Sequence, residues 1–243
     1  MRVAALYDIH GNFPALEAVL TEVDAEGVDA ILVGGDIASG PMPVETLAAL
    51  QSRDAVFVRG NADRVLDFEG GAGGDPEVWR RSRLWVAERL GDAQLRFLAE
   101  LPLDAVLEVD GFGPVRFCHG SPGSDVETIT RLTPDDRLRG LLAGVEERVV
   151  VCGHTHVQFD RTLDGIRVVN AGSVGAPYEA SPGGYWLLLG PELSFRRTRY
   201  DVEAAVEQIR ATGYPRAEEI FPDLPIEDPD RPARMSALIE GLP

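Results

Sequence analysis

Residues 3–20, VAALYDIHGNFPALEAVL, change character twice within one short stretch. Arg2 to Tyr7 alternate and are β-prone, DIHGN (8–12) is polar, and PALEAVLTEVDAEG (14–27) carries apolar residues at helical spacing up to a terminal Gly27. The reading is strand, loop, helix. It recurs where DAILVGGDIASGP (29–41) leads into VETLAALQS (44–52), and AVFVRGNADR (55–64) opens a third unit. Alternating β and α units predict an α/β fold with a largely parallel central sheet and helices on its faces.

Beyond the third strand the rhythm changes. GGAGGD (70–75) predicts a flexible loop, and Pro76 to Leu101 predict two helices parted near Gly91 and Asp92, a helical insert rather than a domain. Short strands are predicted over Ala105–Val109, Val115–Cys118, Arg148–Cys152, Ile166–Val169, Tyr185–Leu189 and Leu193–Tyr200, enough for a second sheet. Val202 to Ala211 read as a closing helix, and Tyr214 to Asp230, rich in proline and acidic residues, as an irregular tail. The division expected is one domain over 1–213, with its insert at about 63–101, and a Pro-rich acidic C-terminal tail over 214–243.

Composition narrows the chemistry. The chain has 243 residues, 44% of them apolar, enough for one sizeable core. No apolar run reaches the roughly 20 residues that cross a bilayer, and the first residues lack the pattern of a secretory signal, so the expected location is the cytoplasm, with no membrane partner. Cys118 and Cys152 each end an apolar run without CxxC spacing and read as buried core residues. A net charge of -17 argues against a nucleic acid polymer as partner. The chain contains no lysine, which excludes a GxxxxGK phosphate loop and Schiff-base catalysis.

All four histidines lie in short polar motifs after apolar runs: His10 in YDIHGN, His119 in CHGSPG, and His154 and His156 in CGHTHVQF. Asp8, Asp36 and Asn61 occupy equivalent strand ends. In a strand, side chains two apart share a face, which predicts that Asp8 with His10, and His154 with His156, each converge on one ion. Carboxylate, imidazole and amide oxygen together suit Mn, Fe, Co, Ni or Zn. Seven such groups exceed what one metal holds. A carboxylate can bridge two ions about 3.5 to 4 Å apart, and Asp36, the single acid of GGDIASG, is the natural bridge.

DIHGN, GGDIASG, GNAD, CHG, GHTH and NAGS, in this order, resemble the calcineurin-like metallophosphoesterase superfamily, and from Met1 to about Tyr214 the small bacterial and archaeal phosphodiesterase branch is similar. The resemblance implies a four-layer α/β/β/α sandwich of two mixed sheets flanked by helices, with the helical insert after the third strand. It also implies that Asp8, His10, Asp36 and His156 hold one of two divalent transition metals, Mn foremost, and Asp36, Asn61, His119 and His154 the other. One position departs from the pattern. Where the superfamily has a histidine after the Asn, thought to protonate the leaving group, this chain has Ala62.

The function this implies is a dinuclear metal-dependent phosphoesterase in which a metal-bridging hydroxide attacks phosphodiester or phosphoanhydride bonds of small phosphorylated molecules, with Asn61 and His119 as catalytic residues stabilising charge. The loss at Ala62 predicts a preference for leaving groups that depart as anions. Asn12 and Arg64 are candidate substrate-binding residues, against capping of the next helix for Asn12 and a surface salt bridge for Arg64. Asp63 reads as orienting its neighbours, and Arg80, Arg81 and Arg83 as a solvated helix face. Ser173 in NAGSVG has no histidine left to act as its base, which excludes a serine hydrolase. The alternatives are a protein serine/threonine phosphatase and a non-catalytic scaffold of the same fold, like the retromer subunit. A homodimer is the assembly expected.

Overall fold

β1 (Val3–Leu6) is buried along its whole length and runs through the middle of a five-stranded sheet. The computed structural model describes residues 1–67, 75–220 and 227–241. In that first sheet β1 lies parallel to β2 (Ala30–Val33), which is parallel to β3 (Ala55–Phe57). On the other side β9 (Gly184–Leu189) is antiparallel to β1 and to β10 (Leu193–Thr198), giving the order β10-β9-β1-β2-β3. The second sheet, β4-β5-β6-β8-β7, has β5 (Gly113–Cys118), β6 (Val149–Cys152) and β8 (Ile166–Asn170) parallel, with β4 (Asp104–Val109) and β7 (Phe159–Leu163) antiparallel at its edges.

Period-two burial sorts β1 between two cores. Val3, Ala5 and Tyr7 face Val115, Phe117, Val149 and Val151 across the gap between the sheets. Ala4 and Leu6 face outward onto α1 (Phe13–Glu26), α2 (Pro43–Gln51), α3 (Pro76–Ala99) and α5 (Val202–Ala211), through residues such as Leu16, Leu47, Val86 and Ile209. On the far side, Leu138 of α4 (Asp135–Leu141) packs on Val150 and Val168 of the second sheet. Helix, sheet, sheet and helix are the four layers expected. Each inter-layer core is continuous apolar surface, the dominant stabilising term in a fold of this size.

Several local expectations are met. Gly27 ends α1 in the left-handed conformation (φ 61°), and Gly91 (φ 73°) interrupts α3 where two helices were expected. Cys118 and Cys152 are buried thiols. The GGAGGD loop lies outside the described residues except for Asp75, the N-cap of α3.

Several elements were not read from the sequence. β7 pairs with β8 through a two-residue turn, Asp164 (φ 51°) and Gly165 (φ 87°), the Asp-Gly hairpin signal. α4 is one of two missed helices longer than a single turn. The other, α7 (Arg231–Ile239), stands in the expected tail, which also holds a short turn of helix, α6 (Ala217–Ile220). α7 is tied down at its end: Glu240, its side chain 3% exposed, takes hydrogen bonds from Thr130 Oγ1 (2.8 Å), Thr133 Oγ1 and Arg137 Nη1 (2.9 Å). Among the described residues no helix is long and apolar enough to cross a membrane.

Candidate metal centre

The parallel strands of both sheets end at one edge, where their loops meet. β1 is followed by Asp8 and His10, β2 by Asp36, β3 by Asn61, β5 by His119, and β6 by His154 and His156. Loops at the carboxyl ends of parallel strands are where α/β folds place ligands.

Strand pleating does not aim these side chains, contrary to the expectation from spacing. β1 stops at Leu6 and β6 at Cys152, so Asp8, His10, His154 and His156 lie beyond regular strand. Asp8 (φ 52°), His10 (φ 49°), Asp36 (φ 53°), His154 (φ 66°) and His156 (φ 58°) all have left-handed backbone. Among the described non-glycine residues only Asp164 shares that conformation. Each such residue costs about 1 kcal/mol or more, so the fold must hold these loops by other bonds.

Those bonds are visible. His10 N donates to Asp36 O (2.8 Å), Asp8 N to Gly35 O (3.1 Å), and Gly175 N to Asp8 O (3.1 Å). Ser173 Oγ donates to Asp8 O (2.7 Å) and accepts from Ala176 N (2.8 Å), a positioning role that replaces any nucleophilic one. Asp63 accepts the backbone N–H groups of Asp36 (2.9 Å), Ile37 (2.8 Å) and Gly60 (2.8 Å), stapling the loop after β2 to the turn after β3. At Gly60 a Cβ would stand 2.2 Å from Asp36 Oδ1, so only glycine lets the two loops approach.

The aimed side chains form two groups. Ligand atoms of Asp8, His10 and His156 all lie within 4.8 Å of one another, as do those of Asp36, His119 and His154. His154 and His156 therefore serve different groups, not one ion as their spacing alone predicted. Asp36 Oδ2 is 3.6 Å from His10 Nε2 and 3.5 Å from His119 Nε2, between the two sets, where a bridging carboxylate belongs. Asn61 Oδ1 is 3.1 Å from His119 Nε2. All seven expected ligands are together.

Several ligand atoms face one another across the centre. His156 Nδ1 is 2.6 Å from Ala176 O and His119 Nδ1 is 2.9 Å from Gly34 O, which places the neutral rings' protons on Nδ1 and lone pairs on Nε2. His10 and His156 then oppose each other, Nε2 to Nε2, at 3.2 Å. Asp8 Oδ2 takes the His154 N–H (2.8 Å), whereas the buried Oδ1 has no hydrogen-bond partner and lies 3.2 Å from His156 Nε2. Such convergence repels unless protons or cations intervene. The hard-to-borderline O and N donor set, without thiolate, fits divalent transition metals.

Without metal, protons take that part. Burial opposes a charged ring at His119, yet the Asp36 and Asp8 carboxylates push it up to about 10. His154 goes the other way, down to about 4, through burial and the neighbouring His119. Burial raises Asp36, but His119, His10 and His154 outweigh it and hold the carboxyl far below its ordinary range. Asp63 rises to about 7 through burial and the charge of Asp36.

The two substrate-binding candidates have protein partners. Asn12 Oδ1 caps α1 at Ala15 N (3.3 Å) and Nδ2 donates to Gly175 O (2.8 Å), leaving one side of Asn12 against a cavity of about 690 Å³. Arg64 Nη2 donates to Asp125 Oδ1 (3.0 Å), and Arg64 does not line that cavity. The same cavity is lined by His10, His156 and Ala62, and Ala62 stands 2% exposed. It also takes in Arg83, expected on a solvated face, and Trp79, Tyr178 and Arg231, for which sequence patterning gave no signal.

The family model of the calcineurin-like phosphoesterase superfamily domain matches residues 1–189. An uncharacterised protein of Methanocaldococcus jannaschii is 26% identical over 232 residues, covering 85% of this chain and 91% of its own. A metallophosphoesterase from Sphaerobacter thermophilus superposes with a TM-score of 0.73 at 26% identity, over 90% of this chain and 96% of that one. A hypothetical protein from Pyrococcus horikoshii has the same fold, with a TM-score of 0.77 at 23% identity over 94% and 99% of the two chains. With the match extending from the first strand through β9 and spanning every candidate ligand, the chain belongs to the calcineurin-like phosphoesterase superfamily.

Proposed function

We propose that this protein is a dinuclear metal-dependent phosphoesterase that hydrolyses phosphodiester or phosphoanhydride bonds of small molecules. The observation that carries the reading is the convergence of Asp8, His10, His156 and Asp36, His119, His154 into two ligand groups sharing one edge, with Asp8 Oδ1 buried and unpartnered between imidazoles. Two divalent ions, Mn the first choice, supply Lewis acidity and a water acidic enough to attack phosphorus at neutral pH.

The chain's own part is holding and aiming. Asp36, lying between the two groups, would help to hold both ions. Asn61 would help to hold the second ion through its amide oxygen, leaving its N–H groups to bind a phosphoryl oxygen, beside His119. On the Ala62 side the methyl group offers no proton, so the leaving group departs on its own acidity. Losing a general acid typically slows a poor leaving group by about 10²- to 10⁴-fold and spares a good one.

Kinetics on matched aryl and alkyl phosphodiesters test this, with Mn supplied and with chelator. We expect chelator-sensitive hydrolysis, with the aryl ester faster by at least about 10²-fold. Equal rates with chemistry limiting contradict the role given to Ala62. An absence of hydrolysis with every divalent ion contradicts the enzyme and favours a scaffold.

A further inference from the structure

The cavity beside His10 and His156 differs from the rest of this acidic molecule. At about 690 Å³ it falls within the roughly 300 to 1,000 Å³ common for small-molecule sites. Its lining includes Ala62, the position where this chain lacks the superfamily's histidine. That is the leaving-group side of the phosphoesterase reading, on which this inference rests.

Aromatic and cationic groups line the walls, together with the carboxylates of Glu179, Glu227 and Asp228. Tyr178 stacks on the His156 ring (centroids 4.9 Å apart, planes 21°), and Tyr200 and Trp79 present further aromatic surface. Around them stand Arg83, Arg216, Arg231 and Arg234 in a chain whose net charge is -17. Arg234 is paired with Asp228 (2.6 Å), and Arg216 lies over the Trp79 ring at 3.3 Å. Arg83 and Arg231 have no carboxylate partner among the described residues, and Arg231 sits 5.7 Å from the centre of the Tyr178 ring. Arg231 comes from α7, which is docked by Glu240 and by Asp228 N donating to Ala180 O (2.8 Å).

Aromatic faces and unpaired guanidinium groups together select a ligand with a flat ring and a second negative charge. We propose that this cavity binds a nucleotide-like leaving group, its base against the aromatic wall and a phosphate beyond the scissile one held by Arg83 and Arg231. The C-terminal segment thus completes the substrate site, and Arg231 and Trp79 set specificity.

Calorimetry on the full-length, Mn-loaded protein compares AMP, adenosine and inorganic phosphate. AMP is expected to bind at least about tenfold more tightly than either fragment. Trp79→Ala and Arg231→Gln should each erode the preference of AMP over phosphate by about tenfold, with Trp79→Phe restoring most of it. AMP binding no tighter than phosphate, or variants that weaken both probes alike, overturn the assignment. Hydrolysis of an aryl phosphodiester is followed in the same preparations. Protein that ranks the probes as stated without hydrolysing anything sinks the phosphoesterase reading and keeps the cavity, and hydrolysis without the ranking does the reverse.

Discussion

His119 shows how one residue carries the tension of the site. Fully buried and 3.5 Å from Asp36 Oδ2, its ring holds a proton up to about pH 10 when no metal is present. A metal must displace that proton, so apparent affinity should rise with pH, about tenfold per unit for this one proton, until the ring no longer holds it. Metal titrations between pH 6 and 9 read this directly, and a flat profile contradicts it. The same proton works on stability in the opposite sense. Because the folded value lies above the unfolded one of about 6.5, metal-free protein is stabilised by it below that pH and loses the contribution as pH rises toward 10. Backbone strain is testable at His10 (φ 49°). Glycine accepts this conformation and alanine does not, so metal-free His10→Gly should exceed His10→Ala in stability by about 1 kcal/mol in urea denaturation. Equal midpoints would show that the loop relaxes.

At the scale of elements, loops crossing at the strand ends define the site, and the tightest crossing is Gly60 against Asp36. Gly60→Ala should displace Asp36 and lower metal affinity by at least about tenfold, because its Cβ meets the Asp36 carboxylate oxygen Oδ1 and the Asp36 backbone nitrogen 2.3 Å away. Metal binding by calorimetry checks this. α7 offers a second case. Glu240→Ala removes a buried carboxylate that holds two threonines and Arg137, and should release α7, weakening nucleotide binding while the metal groups, on other elements, stay together. Hydrogen exchange localised to 227–241 reads the release. These elements also show what the sequence made legible. Asp8, His10, Asp36, Asn61, His119, His154 and His156 stood out because polar groups after apolar runs break the pattern a core requires. Their grouping did not, because a pleat argument assumes β geometry and these residues are left-handed. β7 escaped because its alternation, Phe159 and Leu163 with polar residues between, belongs to a half-exposed edge strand. α7 hid among prolines and acids, although Pro232 stands in its first turn, where proline is tolerated.

For the whole molecule, the two sheets set the geometry of the centre. The first sheet supplies Asp8, His10, Asp36 and Asn61, and the second supplies His119, His154 and His156. Each ligand group therefore spans the inter-sheet core, with Asp8 and His10 meeting His156, and Asp36 meeting His119 and His154. Metal binding should then lock one sheet to the other. We expect a higher unfolding temperature with Mn than with chelator, growing with metal concentration as mass action requires. The four-layer architecture was legible from the motif order, whereas the cavity, assembled from α3, the loop at Tyr178 and α7, depends on distant segments meeting and leaves no local signature.

The most direct measurement is the metal content of the full-length protein, by mass spectrometry after Mn loading and desalting, alongside phosphodiester hydrolysis in the same samples. We expect two ions per chain with activity in the wild type, and loss of both the second ion and activity in Asp36→Asn. A wild type that retains no metal and stays inactive when Mn is added, or an Asp36→Asn variant with full metal content and full activity, contradicts that expectation.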